Sequence, residues 1–233
     1  MKRGSVTIVF VALLSGCAPP APKMAELDSV TPPPLPQATT LSNLARPDHR
    51  AEVESAALQG FRGRYPSCAT AVVTKVLPPM APDQPKLVFD AAGNLASGVV
   101  TEPFLVEGCG KISQENVLTA AADGQHKTIP WVPGTTKASP LLVRDTKPYL
   151  VMYTAAKGPK DCKDQRIMNT RFEKFEGPPN PKAKFQNEAG RPYLETWTVN
   201  VCGMELDIPV HYIPNDLGTV ISVEIPPRPA TKL

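Results

Sequence analysis

The chain has 233 residues, with 25 Lys and Arg against 22 Asp and Glu for a formal charge of +3, and it carries 28 prolines. So even a balance argues against nucleic acid, whose binding needs clustered Lys and Arg to release condensed counterions. Five cysteines without a Cys-x-x-Cys, and three histidines without ligand spacing, give no zinc site and no sign of a cofactor.

Lys2 and Arg3 precede an apolar run over residues 6–14, too short to span roughly 30 Å of hydrocarbon as a helix. It reads as the core of a signal peptide covering residues 1–16. The run ends in Leu14-Ser15-Gly16-Cys17, which resembles the lipobox of bacterial lipoproteins, where small residues precede a cysteine that is lipidated before cleavage. The resemblance covers the first 17 residues. It implies that Cys17 becomes the mature N-terminus and carries a diacylglycerol plus an N-acyl chain, and several chains hold a protein at a membrane stably where one does not. Ala18 rather than an aspartate follows, which by the same resemblance implies the outer membrane, facing the periplasm or the cell surface. Losing Lys2 and Arg3 with the leader leaves 23 basic and 22 acidic side chains, a charge of +1.

From Cys17 to residue 47 the chain is small and proline-rich, with Pro19, Pro20, Pro22, Pro32, Pro33, Pro34 and Pro36. Such a segment stays extended, partly as polyproline II, at up to about 3 Å per residue, and reads as a tether. Asp48 then predicts a capped short helix through Gln59, with Val53, Ala56, Ala57 and Phe61 on its apolar face and Gly60 at its end. Strand patterns follow at 69–76, 86–89, 99–106, 116–121, 128–132 and 141–144. The second half adds 149–155, 166–175, 193–201, 205–212 and 219–225.

The last three of these are the most regular. Met204, Leu206, Ile208, Val210 and Tyr212 alternate with Glu205, Asp207, Pro209 and His211, so one face is buried and the other wet. Pro209 suggests an edge or a bulge. Thr219, Ile221, Val223 and Ile225 repeat the pattern beyond a turn at 214–218, and Trp197, Val199 and Val201 supply the strand before.

Trp197-x-Val199-x-x-Cys202-Gly203 has an earlier echo in Phe104-x-Val106-x-x-Cys109-Gly110. Cys68 and Cys162 lie 41 and 40 positions ahead of the two cysteines, so one β unit is read as present twice. With Cys17 assigned to lipid, four cysteines remain in an oxidising compartment. The duplication favours Cys68 with Cys109 and Cys162 with Cys202, while a Cys109–Cys202 bridge is the main competitor. The pattern, followed by an alternating strand and a glycine-containing hairpin, is also similar to one in small exported bacterial proteins. That resemblance covers about 30 residues of each copy and implies no activity.

The expected fold is mostly β, two tandem antiparallel subdomains of sandwich or meander type with one short N-terminal helix. The expected divisions are a leader at 1–16, a tether at 17–47, β units at 48–145 and 146–226 and a tail at 227–233. Aligning Trp131-Val132-Pro133 with Tyr212-Ile213-Pro214 places a 12-residue insertion at about 113–124 in the first copy, which reads first as a tolerated surface insertion and second as a loop of the kind where binding differences accumulate.

The common catalytic motifs are missing. His49, His126 and His211, the acidic pair Glu205 and Asp207, and the basic stretch 157–184 read as solvent-facing. Trp197 reads as core, while Trp131 and Tyr153 could form a binding platform. The tail Ile225-Pro226-Pro227-Arg228-Pro229 is like a polyproline ligand but reads as a solvated end. A non-enzymatic envelope lipoprotein that binds or scaffolds envelope proteins is the leading expectation. A disulfide-stapled inhibitor or ligand-binding lipoprotein comes second, and an envelope hydrolase third.

Overall fold

The computed structural model describes residues 43–80, 87–123, 125–184 and 190–224. Cys17 with its lipobox, nearly all of the tether, and the Ile225 to Pro229 segment lie outside them. In the first half, α1 (Pro47–Arg64) leads into β1 (Val72–Val76), β2 (Val88–Phe89), β3 (Leu95–Gly108), β4 (Lys111–Ala122) and β5 (Gln125–Pro130). The sheet order is β1-β3-β4-β5, with β2 paired to β3. In the second half, α2 (Pro140–Lys157) leads into β6 (Gln165–Phe175), β7 (Tyr193–Val201), β8 (Met204–Pro214) and β9 (Thr219–Val223), in the order β6-β7-β8-β9. All pairings are antiparallel. The fold is thus mostly β, two antiparallel sheets in tandem with a helix ahead of the first, and the structure adds a second helix. Among the described residues no helix is long and apolar enough to cross a membrane.

That second helix corrects the strands expected at 141–144 and 149–155. Pro148 sits in its interior and interrupts the apolar pattern, while Val143, Thr146, Val151 and Thr154 favour strands locally. Tertiary burial decides the contest, because Leu142, Val143, Thr146, Leu150 and Thr154 fall on one stripe that is buried, with the helix packed on β7, β8 and β9. Ser139 caps it by accepting from the Leu142 N–H, and Pro140 opens its first turn. The first helix also outruns expectation, passing Gly60 to end at Arg64. Gly60 serves as a gap rather than a stop: a Cβ there would come within 3.2 Å of Glu115 and Pro130.

The two halves keep step. Both helices are 18 residues long and start at Pro47 and Pro140, and β4 and β8 each start two residues after Cys109 and Cys202. Tyr212 on β8 therefore corresponds to Thr119 on β4, not to Trp131. The supposed insertion at 113–124 is not an added loop. It is most of β4, paired with β3 from Gly98–Ala121 to Gly108–Lys111.

Each Cys-Gly pair forms the two-residue tip of a hairpin, with φ of 50° and 71° at Cys109 and Gly110, and 50° and 90° at Cys202 and Gly203. Positive φ at both central positions is the signature of a type I′ turn, whose twist matches that of the flanking strands. Disulfides join Cys68 to Cys109 and Cys162 to Cys202, so each hairpin tip is tied to the segment that follows its helix. Closing a loop of about 40 residues is worth roughly 4 kcal/mol in the chain-entropy treatment.

Each sheet and its helix enclose an apolar core. Val53, Ala57, Phe61, Phe104, Val106 and Val117 fill the first, and Leu150, Trp197, Val199, Ile208, Val210 and Tyr212 the second. Strand β7 alternates buried and half-buried residues along its whole length, as its sequence predicts. Pro209 sits on an inner strand, but β9 covers β8 only from Val210 onward, so the missing N–H breaks no ladder there.

Residues 131–136 stitch the halves together. The Trp131 and Gly134 amides donate to Asn116 and Gln114 of β4 at 2.7 and 2.8 Å. A residue or so later the same segment pairs with β6, as Thr135 N–H donates to Thr170 O at 2.7 Å and Thr170 N–H to Pro133 O at 3.0 Å. Asn116, itself buried on β4, fixes the bend by donating to the Val132 and Gly134 carbonyls at 2.7 and 2.8 Å.

Candidate functional site

The two sheets carry a buried carboxylate at the same place, two residues before the repeated aromatic: Glu102 before Phe104 and Glu195 before Trp197. Glu195 receives Lys137 N–H at 2.6 Å on one oxygen, and Thr136 O–H at 2.8 Å and Trp197 Nε1–H at 2.9 Å on the other. It therefore anchors the lead into α2 to β7. Burial holds its carboxyl above the ordinary range, and those hydrogen bonds offset only part of the rise. Glu102 meets the first turn of α1 instead, accepting from His49 Nε2 at 2.7 Å. His49 is thus not solvent-facing, since its side chain is only 17% exposed, and its hydrogen bond to Glu102 raises its pKa.

A third buried carboxylate, Glu115 on β4, pairs with Arg64 at the end of α1. That pair leads to an open groove of about 530 Å³ between the two halves. Its first-half wall is Arg64 with residues 129–133, including Trp131, and its second-half wall is Lys147, Leu150 and Val151 of α2 with Arg166 and Ile167 of β6. Leu150 and Val199 make a buried apolar floor, whereas Val151 is 54% exposed at the rim. Lys147 stands over the Trp131 ring at 5.9 Å. Arg166 reaches the Arg64 carbonyl at 3.5 Å and is held by both oxygens of Asp164. The groove wall therefore has three cations and no carboxylate.

These cations differ in what they have left to offer. Arg64 and Arg166 face Glu115 and Asp164, while Lys147 makes no ion pair among the described residues. The buried Arg64 Nε–H has no hydrogen-bond partner, and a buried donor without a partner costs about 1 to 3 kcal/mol.

The four cysteines read as bridges are in bridges. Trp197 is fully buried, and Trp131 lines the groove. Tyr153 instead packs half-buried against the second core. His126 lies 3.5 Å from Glu52, and His211 donates or accepts at 2.7 Å with Glu176, both partly in solvent. Glu205 and Asp207 are exposed, Asp207 accepting from Thr198 at 2.6 Å. In the basic stretch, Arg166 and Arg171 are paired with Asp164 and Glu173. Among the described residues no group of three His, Cys, Asp or Glu stands close enough to hold a metal ion.

Sequence reasoning missed Lys147, Leu150 and Val151 because α2 was read as strands. It missed Glu102 and Glu195 although both stand two residues before the repeated aromatic; extending the motif backward would have found them. Compared with protein families, curated proteins and solved structures, the chain matches none.

Proposed function

We propose that the protein is a non-enzymatic cell-envelope lipoprotein, anchored through Cys17 in the outer membrane and held off it by the proline-rich segment. Its folded part serves as a binding or scaffolding component of an envelope assembly. The observation that carries this reading is the groove between the halves. Its lining offers a ligand apolar surface and cations with no carboxylate, imidazole, thiol or hydroxyl beside them, while a smaller pocket of about 130 Å³ at the start of α1 is lined by Asp48, His49, Glu52 and His126, its imidazoles engaged with Glu102 and Glu52. The buried ionisable groups nearby are engaged with one another or with backbone amides. Two disulfides are in keeping with an oxidising compartment. Ligand capture is favoured by the same groove, whereas inhibition through an inserted loop at 113–124 loses its support because residues 113–122 lie on the inner strand β4.

The test compares the wild type with Cys17→Ala and Lys147→Glu in the native host. Wild type is expected to take up labelled palmitate, to fractionate with the outer membrane and to enrich a reproducible set of proteins from gently solubilised envelopes. Cys17→Ala should lose the label, and Lys147→Glu should lose the enriched set. An unlabelled wild type, or one that runs alone, would remove the basis for the reading.

A further inference from the structure

The composition of the groove says what it can take. A ligand must present apolar surface to Val151 and Ile167 over the buried Leu150 and Val199, and one negative group to Lys147. An uncharged apolar ligand leaves the Lys147 ammonium without a counter-charge, and a dianion gains little, because Arg64 and Arg166 are already matched by Glu115 and Asp164. The open side of the groove, where Val151 and Lys147 reach solvent, suits a chain that enters lengthwise. A cavity of about 530 Å³ is also in the range that small ligands fill.

We propose that this groove binds a single-chain amphiphile with one anionic head, its acyl chain lying along the α2 and β6 wall and its head beside Lys147 over Trp131. The proposal rests on the binding reading above and names the class of ligand for it. Either a fatty-acid carboxylate or a lysophospholipid phosphate supplies that chemistry. Lys147 gives the head a charge-assisted hydrogen bond, which a neutral alcohol cannot replace. Trp131 beneath the ammonium holds it in place by cation–π attraction.

The test titrates the purified full chain with 11-(dansylamino)undecanoate and follows energy transfer from tryptophan. Saturable binding at one site is expected, displaced by dodecanoate or by lauroyl-lysophosphatidylglycerol and not by dodecanol at equal concentration. Whichever of the two anions displaces better identifies the source of the head group. Lys147→Glu and Val151→Glu each change an exposed side chain, so both should fold, and each is expected to weaken binding about tenfold or more. Unsaturable binding, equal displacement by dodecanol, or unchanged affinity in both variants overturns the proposal. If the probe fails to bind while Lys147→Glu still strips proteins from the envelope purification, the ligand class falls and the binding reading stands.

Discussion

Glu195 has no exposed surface, yet three donors converge on its two oxygens, and two of them, the Lys137 N–H and the Trp197 Nε1–H, can never accept. An amide at this position must turn its NH₂ toward either the Lys137 N–H or the Trp197 N–H. Glu195→Gln is therefore expected to destabilise the protein by about 2 kcal/mol despite its matching shape, the cost of an unpaired buried donor. Urea unfolding measures it, and a neutral result would mean that removing the buried charge outweighs the lost bonds. His49 makes a prediction in pH. Its folded pKa is raised by Glu102, so its contribution is complete below the unfolded value near 6.5 and is lost as pH rises through the folded one. The stability gap between wild type and His49→Gln should accordingly shrink as pH rises above the ordinary histidine value near 6.5.

Each hairpin tip depends on a residue held at positive φ that is not glycine, a conformation that costs free energy unless something fixes it. In this chain the fixing group is the disulfide. Cys162→Ser with Cys202→Ser should lower stability by about 4 kcal/mol and raise amide exchange chiefly in α2 and β6 to β9, while Cys68 and Cys109 stay bridged. Exchange spread evenly over both halves would contradict one staple per sheet. The strands were legible where burial is one-sided: β7 and β8 alternate because helix covers one face and water the other. Strand β4 was harder, because Glu115 to Thr119 are buried without a break, under α1 on one face and residues 131–134 on the other. No alternation survives in such a strand, and the strand expected at 116–121 covers only its second half, leaving out Lys111 to Glu115. Helix α2 was hidden by Pro148 and by β-branched residues whose local preference its burial overrides.

The groove exists only because the halves are locked together, and the lock is narrow. Gly134 has φ of +91°, and a Cβ there would stand 2.0 Å from Thr170 O and 2.6 Å from Thr170 N. No rotamer relieves a clash with backbone, so Gly134→Ala should detach residues 131–136 from β6. It is expected to split one cooperative unfolding transition into two and to abolish amphiphile binding, both sheets keeping their disulfides. A single unshifted transition would show that other contacts join the halves. This inter-half geometry was not legible in the sequence, which marks the sheets by alternation but has no periodic sign for a bend held by Asn116 and a close backbone approach. The proposed envelope role requires a chain exported, lipidated once and oxidised separately in each half. Mass spectrometry of the non-reduced protein, purified from membranes and digested, tests this most directly. It should find Cys68 linked to Cys109, Cys162 linked to Cys202, and an N-terminal peptide that begins at Cys17 bearing acyl chains. A Cys109–Cys202 link, free thiols at these four positions or an unmodified Cys17 would contradict it.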